Sequence, residues 1–336
     1  MNTDKILLDH GSGGRASHKL ITELILHYFS NPILNEMNDS ATFSMNGGRL
    51  AFSTDSYTVD PIFFPGGDIG ELAINGTVND LAMSGAIPLY LSVGFIIEEG
   101  FPIADLEKIL ISMNRAAEEA NVKIVTGDTK VVPKHAADKI FINTSGIGTI
   151  PDSVDISGKN GKPGDKILIS GTIADHGITI LTQREGLKFD SPLQSDSAPL
   201  NRMVAEMMTV SKQIHVLRDP TRGGVGTTLN EIASQSNVGM ILFEEQLPMQ
   251  EEVSGACELL GLDPLYLANE GKLLAVVSEN DAAKILETIQ KNKYGKEAAI
   301  IGEVVENNPG KVFIKTSIGG TRIVDMLTGE QLPRIC

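Results

Sequence analysis

The stretch Ile69–Gly85 constrains this chain more than any other. It reads IGELAINGTVNDLAMSG, a helix of small residues (Ala73, Gly76, Ala82, Gly85) interrupted by polar Asn75, Asn79 and Asp80. An asparagine or aspartate buried on such a helix is costly unless it binds something. Any fold this chain adopts must supply partners for those side chains.

The rest of the chain mixes strands and helices around that segment. Strands are expected at 41–43, 49–55, 88–95, 122–130 and 139–148, with helices from Gly14 to Phe29 and from Ala104 to Asn121. Between Pro151 and Pro163 the character changes, with Gly158, Gly161 and Gly164 as punctuation, and a domain boundary is expected there. The second half reads as strands at 165–171, 272–277, 299–304 and 311–315, with helices at 176–185, 197–211, 224–235 and 280–291. This order is α+β, without the strict βαβ alternation or GxGxxG of a dinucleotide fold.

At 336 residues the chain suits two domains, each able to bury a core. A formal charge of −15 argues against nucleic acid or an anionic membrane as partner. Two cysteines, Cys257 and Cys336, make no disulfide framework and suit a reducing, cytoplasmic setting. The N-terminus lacks the apolar core of a signal peptide, and no apolar run is long enough to span a bilayer.

Acids recur at strand ends and at turns into helices: Asp39, Asp55, Asp80, Asp128 and Asp219. Each alone is an ordinary cap or turn residue. Several brought together would repel unless a hard cation such as Mg²⁺ lay between them. Asn75 and Glu270 are natural additional oxygen donors, and Lys134, His135, Arg218 and Arg222 are cations suited to polyphosphate or else solvated surface charges. The loop Asp9-His10-Gly11-Ser12-Gly13-Gly14-Arg15 either presents backbone N–H groups to an anion or is a flexible lead into a helix. There is no Walker motif and no kinase signature.

The last four residues, Pro333-Arg334-Ile335-Cys336, place a thiol at the tip of a tail. From Gly329 onward an extended chain reaches roughly 24 Å, enough to enter a cleft or to meet another protein. A frayed end is the alternative. Cys257, in a short helix, reads as a core thiol.

The segments Asn38–Ala41, Ser53–Asp55, Asn75–Ala86, Gly127–Lys130 and Asp219–Gly224 resemble the aminoimidazole ribonucleotide synthetase superfamily. With the Asp9–Arg15 loop and the Pro333–Cys336 terminus, the chain is similar to the carbamoyl dehydratases of [NiFe] hydrogenase maturation within it. The acid commonly doubled in the first motif is Asn38-Asp39 here, so Asp39 carries that role alone.

The resemblance implies an N-terminal ATP-binding and dimerisation domain at 1–155 that forms a β-barrel across a homodimer. It also implies a C-terminal α/β sandwich at 156–325 and a mobile tail at 326–336. It implies Mg²⁺ on Asp39, Asp55, Asp80 and Asp219, with ATP contacted by Gly11, Gly13, Gly14, Asn75, Asp128 and Arg222. A carbamoyltransferase, HypF, would load Cys336, and ATP would drive dehydration of the thiocarboxamide to a thiocyanate. The nitrile would pass through a HypC–HypD complex to become a cyanide ligand of iron. Lys134 would assist phosphoryl transfer, with Glu270 or His135 as the base. Other enzymes of the superfamily, and a non-enzymatic thiol carrier, are the alternatives. Selenophosphate synthetase is disfavoured, because Gly11-Ser12-Gly13 stands where its reactive cysteine or selenocysteine is expected.

Overall fold

The computed structural model describes residues 5–45, 47–186, 193–329, 332 and 334–336. Pro333 of the terminal motif, and Glu330 and Gln331 before it, lie outside the described residues.

The helix expected from Gly14 to Phe29 forms in pieces. These are α1 (Arg15–Leu20), a π turn (Ile21–Ile25) and α2 (Leu26–Phe29). The Thr22 hydroxyl donates back to the His18 carbonyl at 2.9 Å, competing with the helix ladder where it loosens.

The first sheet uses β1 (Ala41–Met45) and β2 (Gly48–Tyr57), followed by a two-residue hairpin, β3 (Phe63–Phe64) and β4 (Gly67–Asp68). Then come α3 (Ile69–Met83), β5 (Ile87–Glu98), α4 (Ile103–Ala120), β6 (Lys123–Val132) and β7 (Ile140–Ile150). The five long strands run in the order β1-β2-β7-β5-β6, antiparallel except for the parallel β5–β6 pair. Asp68 caps α3, accepting from the backbone N–H groups of Gly70 and Glu71, and takes the Ser112 hydroxyl of α4 at 2.6 Å. Ile69, Leu72 and Ile74 of α3 join Ile109 and Met113 of α4, with Leu91, Ile140 and Ile142, in the core on one face. The opposite face keeps Phe52, Tyr90, Ile96 and Ile147 exposed, although they are large and apolar.

The second sheet is built from β8 (Lys166–Ile169), α5 (Asp175–Glu185), α6 (Asn201–Val210), β9 (Ile214–Arg218), α7 (Gly224–Ser236) and β10 (Gly239–Phe243). It continues with α8 (Glu251–Leu260), β11 (Leu274–Val277), α9 (Glu279–Lys291), β12 (Ala299–Val305), β13 (Lys311–Lys315) and β14 (Thr321–Val324). Its strand order is β14-β13-β10-β12-β8-β11-β9. Alternate residues feed two layers: Ile167 and Ile169 pack with α7, while Leu168 packs with α6 and α9. The expected α/β sandwich forms.

Three strands of the second sheet are absent from the sequence reading. β9 is buried along most of its length, so it lacks the alternation that marks a strand. β10 follows directly on a helix end at Asn237, and its apolar run has no helical or strand period to separate the two. β14 is exposed at three of its four positions and is defined only by pairing with β13.

The asparagines of α3 find their partners in the second half of the chain. Asn79 Oδ1 accepts from the Leu200 backbone N–H at 2.8 Å, and its Nδ2 donates to the Ala198 carbonyl at 3.0 Å and the Glu270 carbonyl at 3.4 Å. Asn75 Nδ2 donates to the Ser197 hydroxyl at 3.0 Å. Asn79 therefore joins the two sheets. Asn79→Ala orphans a buried N–H and a buried carbonyl, and is expected to cost about 2–5 kcal/mol by urea denaturation. A loss within experimental error of zero would mean that the amide is replaceable there.

Candidate functional site

The acids converge where the two sheets meet. β2 brings Asp55, α3 brings Asp80, the loop before β1 brings Asp39, and the end of β9 brings Asp219. Ser53 donates from β2 to the Asp80 carboxylate at 2.5 Å. Arg218 lies 2.7 Å from Asp39 and 2.7 Å from Glu231, and its other end reaches the Met37 carbonyl. One cation thus serves two acids while Asp80, Asp55 and Asp219 crowd behind it.

Burial first, with repulsion from neighbouring acids added, holds the carboxyls of Asp39, Asp80 and Asp219 above their ordinary range. Asp80 is raised by burial and by Asp55, Asp219 and Asp39. Asp39 is raised by burial against the pull of Arg218, and Asp219 is pushed up to about 6. Among the described residues no three such side chains stand close enough to enclose a metal unaided. The buried Asp39 Oδ2 and Asn75 Oδ1 nevertheless have no hydrogen-bond partner. Buried oxygens without partners in a repulsive cluster of acids fit a hard cation completed by phosphate oxygens and water.

Beside the cluster a cleft of about 220 Å³ is lined by Gly11, Ser56, Thr58, Arg222, Tyr266 and Cys336, among others. The tail runs into it. The Thr58 N–H donates to the Cys336 carbonyl at 2.9 Å, and the Asp60 N–H donates to that of Arg334 at 3.2 Å. Arg334 bonds Asp138 and the Thr58 carbonyl, and Arg184 bonds the Arg334 carbonyl. Ile335 is buried in the first core, which contributes about 1.5–3 kcal/mol to docking. Burial, then Glu270, push the Cys336 thiol up to about 12 against the pull of Arg222. The docked sulfur is a neutral thiol.

Comparisons place this arrangement among known proteins. The chain matches the AIR synthase related protein family, N-terminal domain over residues 37–150 and C-terminal domain over residues 162–315. The carbamoyl dehydratase HypE of Cupriavidus necator is 53% identical over 337 residues, covering 100% of this chain and 96% of that one. This chain belongs to the HypE family. A solved HypE in complex with ATP is 55% identical with a TM-score of 0.84, over 99% of this chain and 100% of that one. A HypE–HypF complex gives 53% and 0.88, over 92% and 99%.

In this HypE family member Glu270 and Arg222 sit with Cys336. Glu270 is buried, its Oε1 has no partner, and burial followed by Asp196, Asp219 and Asp55 holds it well above the usual carboxylate range. Arg222 faces Cys336, Asp55 and Glu270 and donates to the Gly11 carbonyl at 3.1 Å.

The glycine loop serves packing as much as ligand access. An added Cβ on Gly13, at φ +77°, would stand 2.7 Å from the Arg222 carbonyl, and one on Gly14 would stand 2.4 Å from that of Leu327. The Gly14 N–H is taken by Ser12, and only Gly11 of the three lines the cleft.

Lys134, His135 and Asp128 lie apart from the sulfur. The first two are exposed on the β6–β7 loop, where His135 holds φ +67° and gives its N–H to Glu98. Asp128 is exposed and paired with Lys130 at 2.8 Å. That loop still reaches the tail, through the contact of Asp138 with Arg334.

Sequence reasoning missed the residues behind Glu270. Asp196 accepts the Glu270 N–H at 3.0 Å and pairs with buried Lys272 at 3.0 Å. Its carboxyl is lowered because Lys272, His176 and that N–H outweigh its burial. Gly271 fits between them because an added Cβ would strike the Asp196 carbonyl at 1.7 Å. The spacing Asn269-Glu270-Gly271-Lys272 was legible, but its partner lies 76 residues away in sequence.

A carboxyl whose folded pKa is raised costs stability once the pH exceeds its unfolded value, and the cost lifts as the pH falls. Glu270→Gln is therefore expected to stabilise the ligand-free protein by about 1 kcal/mol or more near pH 8, with the gain shrinking toward pH 5 in thermal melts. Destabilisation at both pH values would mean that the carboxylate is held by partners rather than strained.

Proposed function

We propose that this protein uses ATP to dehydrate a carbamoyl group carried on its own Cys336, leaving a thiocyanate. The observation that carries the reading is the place of the docked sulfur, in the cleft between Glu270 and Arg222 and facing Asp55. Relatives named carbamoyl dehydratase support it, as do relatives crystallised with ATP and with HypF.

The reaction must make an amide oxygen into a leaving group and strip two protons from nitrogen. The thiocarboxamide oxygen attacks the γ-phosphorus and ADP departs, giving a C–O–P linkage. Glu270 takes the first N–H proton as the C=N bond forms. The second proton leaves with phosphate as the C–O bond breaks and the C≡N bond completes. Catalysis here is mostly positioning and charge neutralisation. Arg222 supplies a fixed positive charge beside the reacting group, and Lys134 is the further candidate on the loop that reaches Arg334. Asp39, Asp55, Asp80 and Asp219 would hold Mg²⁺, which neutralises phosphate charge when bound. Asn75 adds a carbonyl oxygen without a partner. As base, Glu270 is favoured over His135, because it is buried beside the sulfur and short of hydrogen-bond partners.

Cys336 is a tethered substrate rather than a nucleophile. Docked, its thiol is protonated and enclosed, so loading by HypF requires the 326–336 tail outside the cleft. The uncharged carbamoyl thioester then returns without adding a further charge to the site. The product nitrile would pass to a HypC–HypD complex for delivery to iron. The uncovered apolar face of the first sheet, with Phe52, Tyr90, Ile96 and Ile147, supports a homodimer that closes two such sheets into a barrel.

Intact mass spectrometry of the carbamoylated protein should record the loss of one water on adding Mg-ATP, and Glu270→Gln should slow it at least ~100-fold. An unchanged mass in the parent protein would sink the reading. Asp80→Asn should weaken Mg-ATP binding ~10-fold or more by calorimetry, and unaltered affinity would remove Asp80 from the site.

A further inference from the structure

The docked tail touches a buried histidine that the reaction above does not use. His176, at the start of α5, is fully buried, with its ring edge-on to Phe64 at a centroid distance of 5.6 Å. Its Nε2 lies 2.7 Å from the Ile335 carbonyl and its Nδ1 lies 2.8 Å from Ser195 Oγ.

The chemistry of these partners fixes every hydrogen. A carbonyl only accepts, so Nε2 carries the proton. Burial disfavours the charged ring and lowers its pKa, although Asp196 and the Ile335 carbonyl pull the other way. Nδ1 is then bare and must accept from the Ser195 hydroxyl. The Ser195 oxygen accepts the Ser197 N–H at 3.2 Å, and the Ser197 hydroxyl accepts from Asn75 at 3.0 Å. One line of hydrogen bonds thus runs from the helix at the ATP site, through the 195–197 segment, to the tail.

We propose that His176, aligned by Ser195, is a positioning residue that recognises the docked tail and sets where the Cys336 sulfur stops. The inference rests on the reading of Cys336 as a carrier. The latch holds main chain and not the sulfur, so it grips the thiol, the thiocarboxamide and the thiocyanate alike. Arg184 donates to the Arg334 carbonyl and Thr58 to a main-chain oxygen of Cys336, so main-chain oxygens of three successive residues are captured. The tail is read as a backbone ladder anchored by Ile335 and Leu332, with the Arg334 side chain bonded to Asp138.

Alkylation by iodoacetamide tests this in the full-length protein, with each cysteine followed by peptide mass spectrometry. Docked Cys336 is half-buried at the wall of the cleft and protonated, so its alkylation is slow there and its rate reports undocking. Cys257 is buried in the cluster that contains Ala174 and Ile178 of the α5 region, so it reports any general loosening there.

His176→Phe should raise the Cys336 rate about tenfold and leave Cys257 protected. His176→Gln, whose amide N–H can stand in for Nε2–H, should restore protection. Ser195→Ala should raise the rate several-fold through loss of alignment, and it stands in if the Phe variant fails to fold. An unchanged Cys336 rate in either variant, or parallel exposure of Cys257, overturns the proposal. Absence of water loss in the carbamoylated parent would defeat the dehydratase reading and leave these rates untouched.

Discussion

The structure depends on a helix that cannot satisfy itself. α3 is small-sided and almost wholly buried, and it carries two amides and a carboxylate inward. In an apolar core each would be a liability of a few kcal/mol. The amides are tolerable because the segment 196–200 and the Glu270 turn lie across the helix and take the hydrogen bonds of Asn79 and of the Asn75 N–H, while Ser53 of β2 donates to Asp80. The same contact brings Glu270 and Asp219 against Asp80 and Asp55. Holding the two sheets together and assembling the site are one event.

That assembly leaves electrostatic strain in place. Asp39, Asp80, Asp219 and Glu270 are all driven above their ordinary range by burial and by one another. Nearby acids not facing the cleft are treated differently: Asp196 is neutralised by Lys272, and Asp68 is capped three times over. Mutual repulsion among several acids gathers at the place where a cation and a polyphosphate would relieve it. Proteins commonly spend stability at functional sites in this way.

The tail follows the same economy. Its docked form hides an apolar residue and pairs its backbone with Thr58 and Asp60, while keeping its thiol neutral. A neutral, enclosed sulfur suits a group that is only a handle. It does not suit a nucleophile, which would need a thiolate. The burial that keeps the docked thiol neutral therefore leaves it a poor nucleophile in that position.

The sequence by itself determined the kind of chain and most of its parts. Periodicity placed α4, α9 and the long strands of the first sheet, whereas α3 was marked by small residues interrupted by Asn75, Asn79 and Asp80. The recurrence of acids at strand ends located Asp39, Asp55, Asp80 and Asp219 before any contact was known. Residue type alone left Asn79 and Asp80 equivalent, as buried polar groups in need of partners. Tertiary structure separated them: Asn79 met backbone groups of the second half, and Asp80 met other acids. It likewise drew Glu270 to Cys336 and left His135 exposed on a loop, although both are plausible bases by type. Asp196, Lys272 and His176 carried no local signal, since each is defined by a partner far along the chain. Local pattern is written in neighbouring residues, whereas charge pairing and burial depend on which distant segments the packed core brings together.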